Sequence, residues 1–270
     1  MQVLSLTSPG LHNLEPAESI SLARRTNDLI AATISSYPDR FDGFATIPTT
    51  APREAVKELE RSVRDLGLKG EMLFGRTMDN NLDHIDFWPI FEMAWHLRIP
   101  LFIHPQTPPR AEREACYSGF DPQVDLTFAC FGLGWYYDCG IQFLRLVLAG
   151  VFDRFPDLQI ILEHWGEVVL FYTERLKAFS RVTKLQRSVV DTMRENLYYV
   201  TPSGMFSESD FRHALEIVGI DRILFSTDYP YQYRPGGGPR RFLEQLHISQ
   251  GDKEKIAPAN WERLTRGIRR

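Results

Sequence analysis

Three short apolar runs, each closed by a polar residue, constrain this chain more than any other feature. Residues Ile160-Ile161-Leu162-Glu163-His164-Trp165-Gly166-Glu167 open as a β-branched run, entered from Pro156 and left through Gly166 into a helical pattern. A run of that length between such breaks reads as a buried parallel strand, with His164 at its carboxyl end. The run from Ile99 closes in the same way on His104, and the run from Arg222 closes on Asp228. Three buried strands ending on His, His and Asp bring two imidazoles and a carboxylate to one end of a sheet. That is the end at which α/β folds keep their chemistry.

The rest of the chain alternates in the same manner. A strand is expected over 3–9. A helix opening at Glu15-Pro16 follows, with Ile20, Leu22, Ala23, Leu29, Ile30 and Ile34 as its apolar positions. Strands over 44–48 and 68–74 flank a helix over 52–66, with Gly67 just past its end. A helix over 85–97 leads into the His104 strand, its inner face being Phe87, Ile90, Phe91, Ala94 and Trp95. Residues 105–139 interrupt the rhythm with prolines, then Gly119-Phe120-Asp121-Pro122, then aromatic residues. A loop of that length is expected to act as a lid. Helices over 141–155 and 167–179 flank the His164 strand. A strand over 197–201 and a helix over 208–218 precede the Asp228 strand. The Gly236-Gly237-Gly238 run lacks the strand and helix of a phosphate loop and reads as a connector.

Seven strand candidates alternating with helices specify a parallel α/β sheet. Periodicity leaves a barrel and an open doubly wound sheet both standing, and the count is one short of a (β/α)8 barrel. With 270 residues, 43% of them hydrophobic, the chain has enough material for one core and one domain. A net charge of −4 with dispersed basic residues gives no reason to invoke nucleic acid or a membrane surface. No apolar run approaches the roughly 20 residues of a membrane span. The first residues lack the order of a signal peptide. Cys116, Cys130 and Cys139 form no CxxC pair, which suits reduced thiols in the cytoplasm.

At IPLFIHP, IILEHWGE and DRILFSTDYPY, with weaker support from PDRFDGFATIP and ENLYYVTPSG, the sequence resembles the amidohydrolase superfamily. The likeness is to its decarboxylase branch, that of aminocarboxymuconate-semialdehyde and dihydroxybenzoate (resorcylate-type) decarboxylases. The resemblance implies a TIM barrel holding one divalent metal, zinc or manganese. It implies His104 and Asp228 as metal ligands, with His164 beside the metal without being a ligand. Glu167 would hydrogen-bond that imidazole, although a first-turn glutamate also complements a helix dipole. Arg175, eleven residues after His164, would receive the substrate carboxylate. The branch also carries an ExH or HxH pair on its first strand, and no such pair precedes His104 here. The run at 3–9 aligns with the second strand. The expectation is therefore an incomplete barrel, truncated or degenerate, with edges flanking a gap and a metal poorly held by two protein ligands.

The implied reaction is non-oxidative decarboxylation of a small aromatic or enol-type acid. A proton from Asp228, coupled to His164, would go to the carbon that bears the carboxylate. Phe120, Phe128, Trp135 and Tyr136 favour a flat substrate. Two other readings stay open: hydrolysis of a lactone or amide with His164 activating water, and an inactive barrel that binds a small acid or only assembles. The resemblance also implies a homodimer or homotetramer. Convergence of His104, His164 and Asp228 at one mouth is the central geometric expectation.

Overall fold

The computed structural model describes residues 1–231, 233 and 235–270, and for residues 198–200 the backbone alone. Strands β1 (Gln2–Leu4), β2 (Phe41–Ala45) and β3 (Gly70–Phe74) come first. They are followed by the short β4 (Arg76–Thr77) and β5 (Asn80–Asn81), then β6 (Leu101–His104), β7 (Ile160–Leu162) and β8 (Leu197–Val200). Six of them form one sheet in the order β1-β2-β3-β6-β7-β8. Every neighbouring pair in it is parallel. β4 and β5 make a separate antiparallel pair.

Both faces of this sheet are packed, as parallel sheets require. Side chains alternate across a strand, so Met72, Phe74, Phe102 and Ile161 go to one face with Phe44 and Leu224. Leu73, Leu101, Ile103, Ile160 and Leu162 go to the other, into the larger core shared with the helices. The helices up to β7 are α1 (Pro16–Ser36), α2 (Pro52–Arg64), α3 (Trp88–Leu97), α4 (Arg110–Cys116), α5 (Pro122–Thr127), α6 (Gly134–Leu148) and α7 (Val151–Arg154), of which α2, α3, α6 and α7 contribute buried residues to that core. Beyond β7 come α8 (Thr173–Leu176), α9 (Val189–Asn196), α10 (Glu208–Val218), α11 (Gly238–Gln245), α12 (Gln250–Glu254) and α13 (Asn260–Thr265). Val3 of β1 and Trp261 and Leu264 of α13 pack on the smaller cluster. The Trp261 indole N–H donates to Asp42 Oδ2 at 3.0 Å. The C-terminal helix thus packs on the smaller cluster and is tied to β2.

Several elements differ from the sequence expectation. The segment carrying Asp228 is not a regular strand: only Ile223 makes an isolated bridge. Its Phe225 N–H donates to Ile256 O at 3.1 Å, so a C-terminal turn takes the bond a neighbouring strand would have used. The helix expected over 167–179 is a run of turns, then α8 and a 3-10 turn. His164, Trp165, Gly166 and Glu167 have φ of 43°, 58°, 80° and 55°, which no right-handed helix accommodates.

The helix expected to begin at Ile141 starts at Gly134 instead. A Cβ there would lie 2.2 Å from Ala129 O, so only glycine lets that first turn close on the preceding π-helical turn. The 105–139 stretch is also not structureless, since it contains α4 and α5. Finally, α1 buries Ser19, Ala23, Asn27 and Ile30, while Leu29 is 68% exposed.

Candidate functional site

His104 closes β6, in register with Phe74 of β3. Its Nδ1 lies 2.7 Å from Pro105 O and 3.2 Å from Ser8 Oγ. A carbonyl can only accept, so Nδ1 carries a hydrogen and Nε2 is the ring nitrogen left for the mouth. That Nε2 faces Glu163 Oε2 at 3.7 Å. Glu163 follows β7 directly and is nine-tenths buried, with 9% of its surface exposed. The same oxygen stands 3.9 Å from His164 Nδ1, which is closer to Glu167 Oε1 at 3.1 Å. Two imidazoles and two carboxyl groups therefore share one buried mouth.

The turn that achieves this is held from several sides. Trp165 N–H donates to Thr201 O at 2.9 Å, and Gly166 and Glu167 N–H both donate to Glu163 O. The Trp165 indole donates to Met205 O at 2.8 Å. Left-handed φ at His164, Trp165 and Glu167 costs on the order of 1–3 kcal/mol per residue and persists only where surroundings over-determine it. Asp228, φ 54°, shares this conformation.

Electrostatics tie Asp228 to the cluster. Burial, then the Glu163 charge, pushes its carboxyl up to about 6, against the pull of His164 and His104. Burial works against a charged His164. Glu167 first, then Glu163 and Asp228, outweigh it and push the imidazole up to about 9. Burial also raises Glu167, which His164 opposes. Aromatic rings close the mouth: Tyr136 lies edge-on to His164 at 4.7 Å, and Trp135 to His104 at 6.3 Å. The Tyr136 hydroxyl is pushed up to about 12 by burial and by the carboxylates of Glu167, Asp228 and Glu163.

Arg175 is exposed on α8, and no hydrogen bond or ion pair joins it to these groups among the described residues. Sequence reasoning assigned no role to Glu163. Strand alternation would point it away from His164, and the left-handed turn at His164 cancels that alternation. Trp135 and Tyr136 were placed in a loop, whereas the first turn of α6 aims them at the imidazoles. His12 and the buried Arg76–Asp138 ion pair were also missed. His12 stacks on Phe74 at 5.3 Å, and Phe74 lies against His104.

Among the described residues no three His, Cys, Asp or Glu side chains stand ready-made to hold a metal ion. The donor types present, an imidazole nitrogen at His104 with carboxyl groups beside it, are those that divalent cations take in proteins.

A family model described as Amidohydrolase matches residues 9–265. The chain belongs to the amidohydrolase family. Within that family it is 33% identical to a gamma-resorcylate decarboxylase of Polaromonas sp., over 97% of this chain and 82% of that protein. A putative amidohydrolase from Staphylococcus aureus superposes with a TM-score of 0.93 at 39% identity, covering 98% of this chain and 86% of that one. A dihydroxybenzoic acid decarboxylase from Polaromonas sp., solved with bound manganese and the inhibitor 2-nitroresorcinol, gives 0.89 at 30% identity, covering 98% and 81%. These similarities join the chain to the decarboxylase branch and its barrel-type α/β fold, in which a relative holds a divalent metal.

Proposed function

We propose that this amidohydrolase is a metal-dependent, non-oxidative decarboxylase of a small aromatic or enol-type carboxylic acid. The observation that carries the reading is geometric: His104 at the end of β6 meets Glu163 just past β7, where the neighbouring His164 imidazole is fixed by Glu167, in one mouth. His104 and Asp228 would hold the metal. The manganese in the Polaromonas relative supports manganese over zinc. When bound, the metal supplies Lewis-acid pull on the substrate's carboxylate and neighbouring hydroxyl. Two protein ligands by themselves would hold it weakly, since catalytic zinc sites keep three.

Asp228 is the proton donor in this reading, because a carboxyl that keeps its proton close to neutral pH can deliver it. The proton goes to the ring carbon bearing the carboxylate. The bond to that carboxylate then breaks, CO2 leaves, and its electron pair returns to the ring. His164, charged and adjacent, steadies the negative charge left on Asp228, and Glu167 fixes its orientation. Tyr136 and Trp135 offer flat walls to a flat substrate and help exclude water. We assign the 105–139 segment, which carries both, the part of a cover, and Arg175 that of the outer cation meeting an incoming carboxylate. No helix among the described residues is long and apolar enough to cross a membrane. The three unpaired cysteines support a cytoplasmic setting.

Manganese-supplemented protein is expected to release CO2 from at least one acid in a panel of hydroxylated benzoates. Asp228→Asn should lower kcat by about 100-fold or more, within the range for a lost general acid. Absence of CO2 release across the panel, together with turnover of lactones or amides, would overturn the decarboxylase reading.

A further inference from the structure

We infer that the buried Arg76–Asp138 ion pair is a positioning latch, which holds Trp135 and Tyr136 at the mouth by tying both ends of the 105–139 segment to the end of β3. The inference rests on the reading of that segment as a cover and of the mouth as the reacting site.

Arg76 opens β4, two residues after Phe74, which closes β3 in register with His104. Its guanidinium reaches both ends of the segment. Nη1 donates to Asp138 Oδ1 on α6, and Nη2 donates to Thr107 O at 2.8 Å. The Arg76 backbone N–H donates to Gln106 Oε1 at 2.5 Å. Thr107 carries the tie onward, since its Oγ1 accepts from the Trp135 indole N–H at 3.3 Å. Asp138 lies about one helical turn beyond Trp135 on α6. Fixing its carboxylate therefore fixes the turn that sets Trp135 against His104 and Tyr136 against His164. Gly75 leaves room for this approach, because a Cβ there would lie 2.9 Å from Asp138 Oδ2.

Stability is a poor account of the pair. Its side chains are only 7% and 4% exposed. Desolvating two charges offsets most of their attraction, so an apolar pair of similar volume is often at least as stable. Asp138 Oδ2 also has no hydrogen-bond partner among the described residues, which adds to the cost. What the pair supplies and an apolar pair cannot is direction: a planar guanidinium fork fixes two acceptors at once. Direction is needed here. Helices α4 and α5, which lie between the tied ends, bury none of their own residues and so do little to hold the segment down.

The test is the double variant Arg76→Met and Asp138→Leu in the full chain, labelled with fluorotryptophan. Trp135→Phe assigns the Trp135 resonance in the fluorine NMR spectrum. The double variant should melt within about 3 °C of the parent, since an apolar pair replaces an ion pair. Its Trp135 resonance should shift and broaden, and amides of 105–139 should exchange about tenfold faster or more. On an acid that the parent turns over, KM should rise about fivefold or more with kcat within about twofold. If the double variant does not fold, Arg76→Lys decides in its place, since a lysine keeps the charge beside Asp138 and lacks the fork. An unchanged Trp135 resonance with unchanged exchange would overturn the inference and leave the decarboxylase reading standing. Release of the segment with an unchanged KM overturns the positioning role. A parent that turns over no acid removes the decarboxylase reading, and the resonance and the exchange rates then decide the latch by themselves.

Discussion

His12 is an imidazole buried with little to keep it charged. It is 4% exposed, stacks on Phe74, and its Nδ1 has no hydrogen-bond partner. Burial first, then the charges of Arg76 and His104, push it down to about 4. In the unfolded chain it would titrate near 6.5. The native state therefore keeps it neutral, and its contribution to stability is whole above about pH 6.5. As pH falls from there toward about 4, the unfolded chain takes up the proton first and stability is lost, by up to roughly 3 kcal/mol. The urea midpoint of the parent should fall between about pH 7 and about pH 4.5, and His12→Phe should flatten that fall. An identical fall in both proteins would sink the idea. At this scale the sequence shows strand-end groups well, since a short apolar run announces its own last residue. His104, His164 and Asp228 were read in that way. It does not show groups whose direction depends on a turn, which is why Glu163 and His12 emerged only from the backbone.

At the scale of elements, the least legible feature is a polar stripe inside a helix interface. The apolar positions of α1 suggested a face running through Leu29, but the face that packs is Ser19, Ala23, Asn27 and Ile30, an i, i+4 row. Asn27 explains the difference. Its Nδ2 donates to Thr46 O at 2.9 Å and to Glu58 Oε1 at 2.8 Å, and its Oδ1 accepts from Thr46 N–H at 2.9 Å. One side chain thereby ties α1 to the segment leaving β2 and to α2. Hydrophobic periodicity carries no record of such a tie, so the pattern was displaced around the helix. Removing it strands Thr46 N–H in the interior, at about 1–3 kcal/mol for an unsatisfied group, and takes one of three donors from Glu58 Oε1, which keeps Arg61 and Ser62. Asn27→Ala should lower the urea midpoint by the equivalent of about 2 kcal/mol or more, with the slope unchanged. A variant as stable as the parent would mean that water takes over these bonds. The inner face read for α3 holds: Ile90, Phe91 and Ala94 are buried with Phe87 of the preceding 3-10 turn, and Trp95 packs half-buried on the same core.

For the whole molecule, the α/β class and the parallel order follow from alternation alone, while the burial of its surface does not. Helices α4 and α5 bury none of their own residues against the rest of the chain. Phe120, Val124, Leu126, Phe131 and Leu133 are all exposed in this stretch, Phe120 by 63%. Scattered exposed apolar residues are ordinary, but several in one short segment mark an interaction surface. The proposal that fits is self-association, in the homodimer or homotetramer that the family resemblance implies. A specific interface buries roughly 1,600 Å² in total, enough to cover both short helices and their flanks. Light scattering on the eluting protein should give a mass of two or four chains. The double variant Val124→Glu and Leu126→Glu should shift it toward one, because charges at an apolar interface core are strongly unfavourable. The same segment runs on through the π-helical turn into Gly134, Trp135 and Tyr136, whose rings lie against His104 and His164. If the chain self-associates there, one stretch links assembly to the mouth, and the double variant should lose activity mainly through a raised KM. A parent that runs as a monomer at micromolar concentration, with full activity, would separate the two and leave these exposed residues without an assembly role.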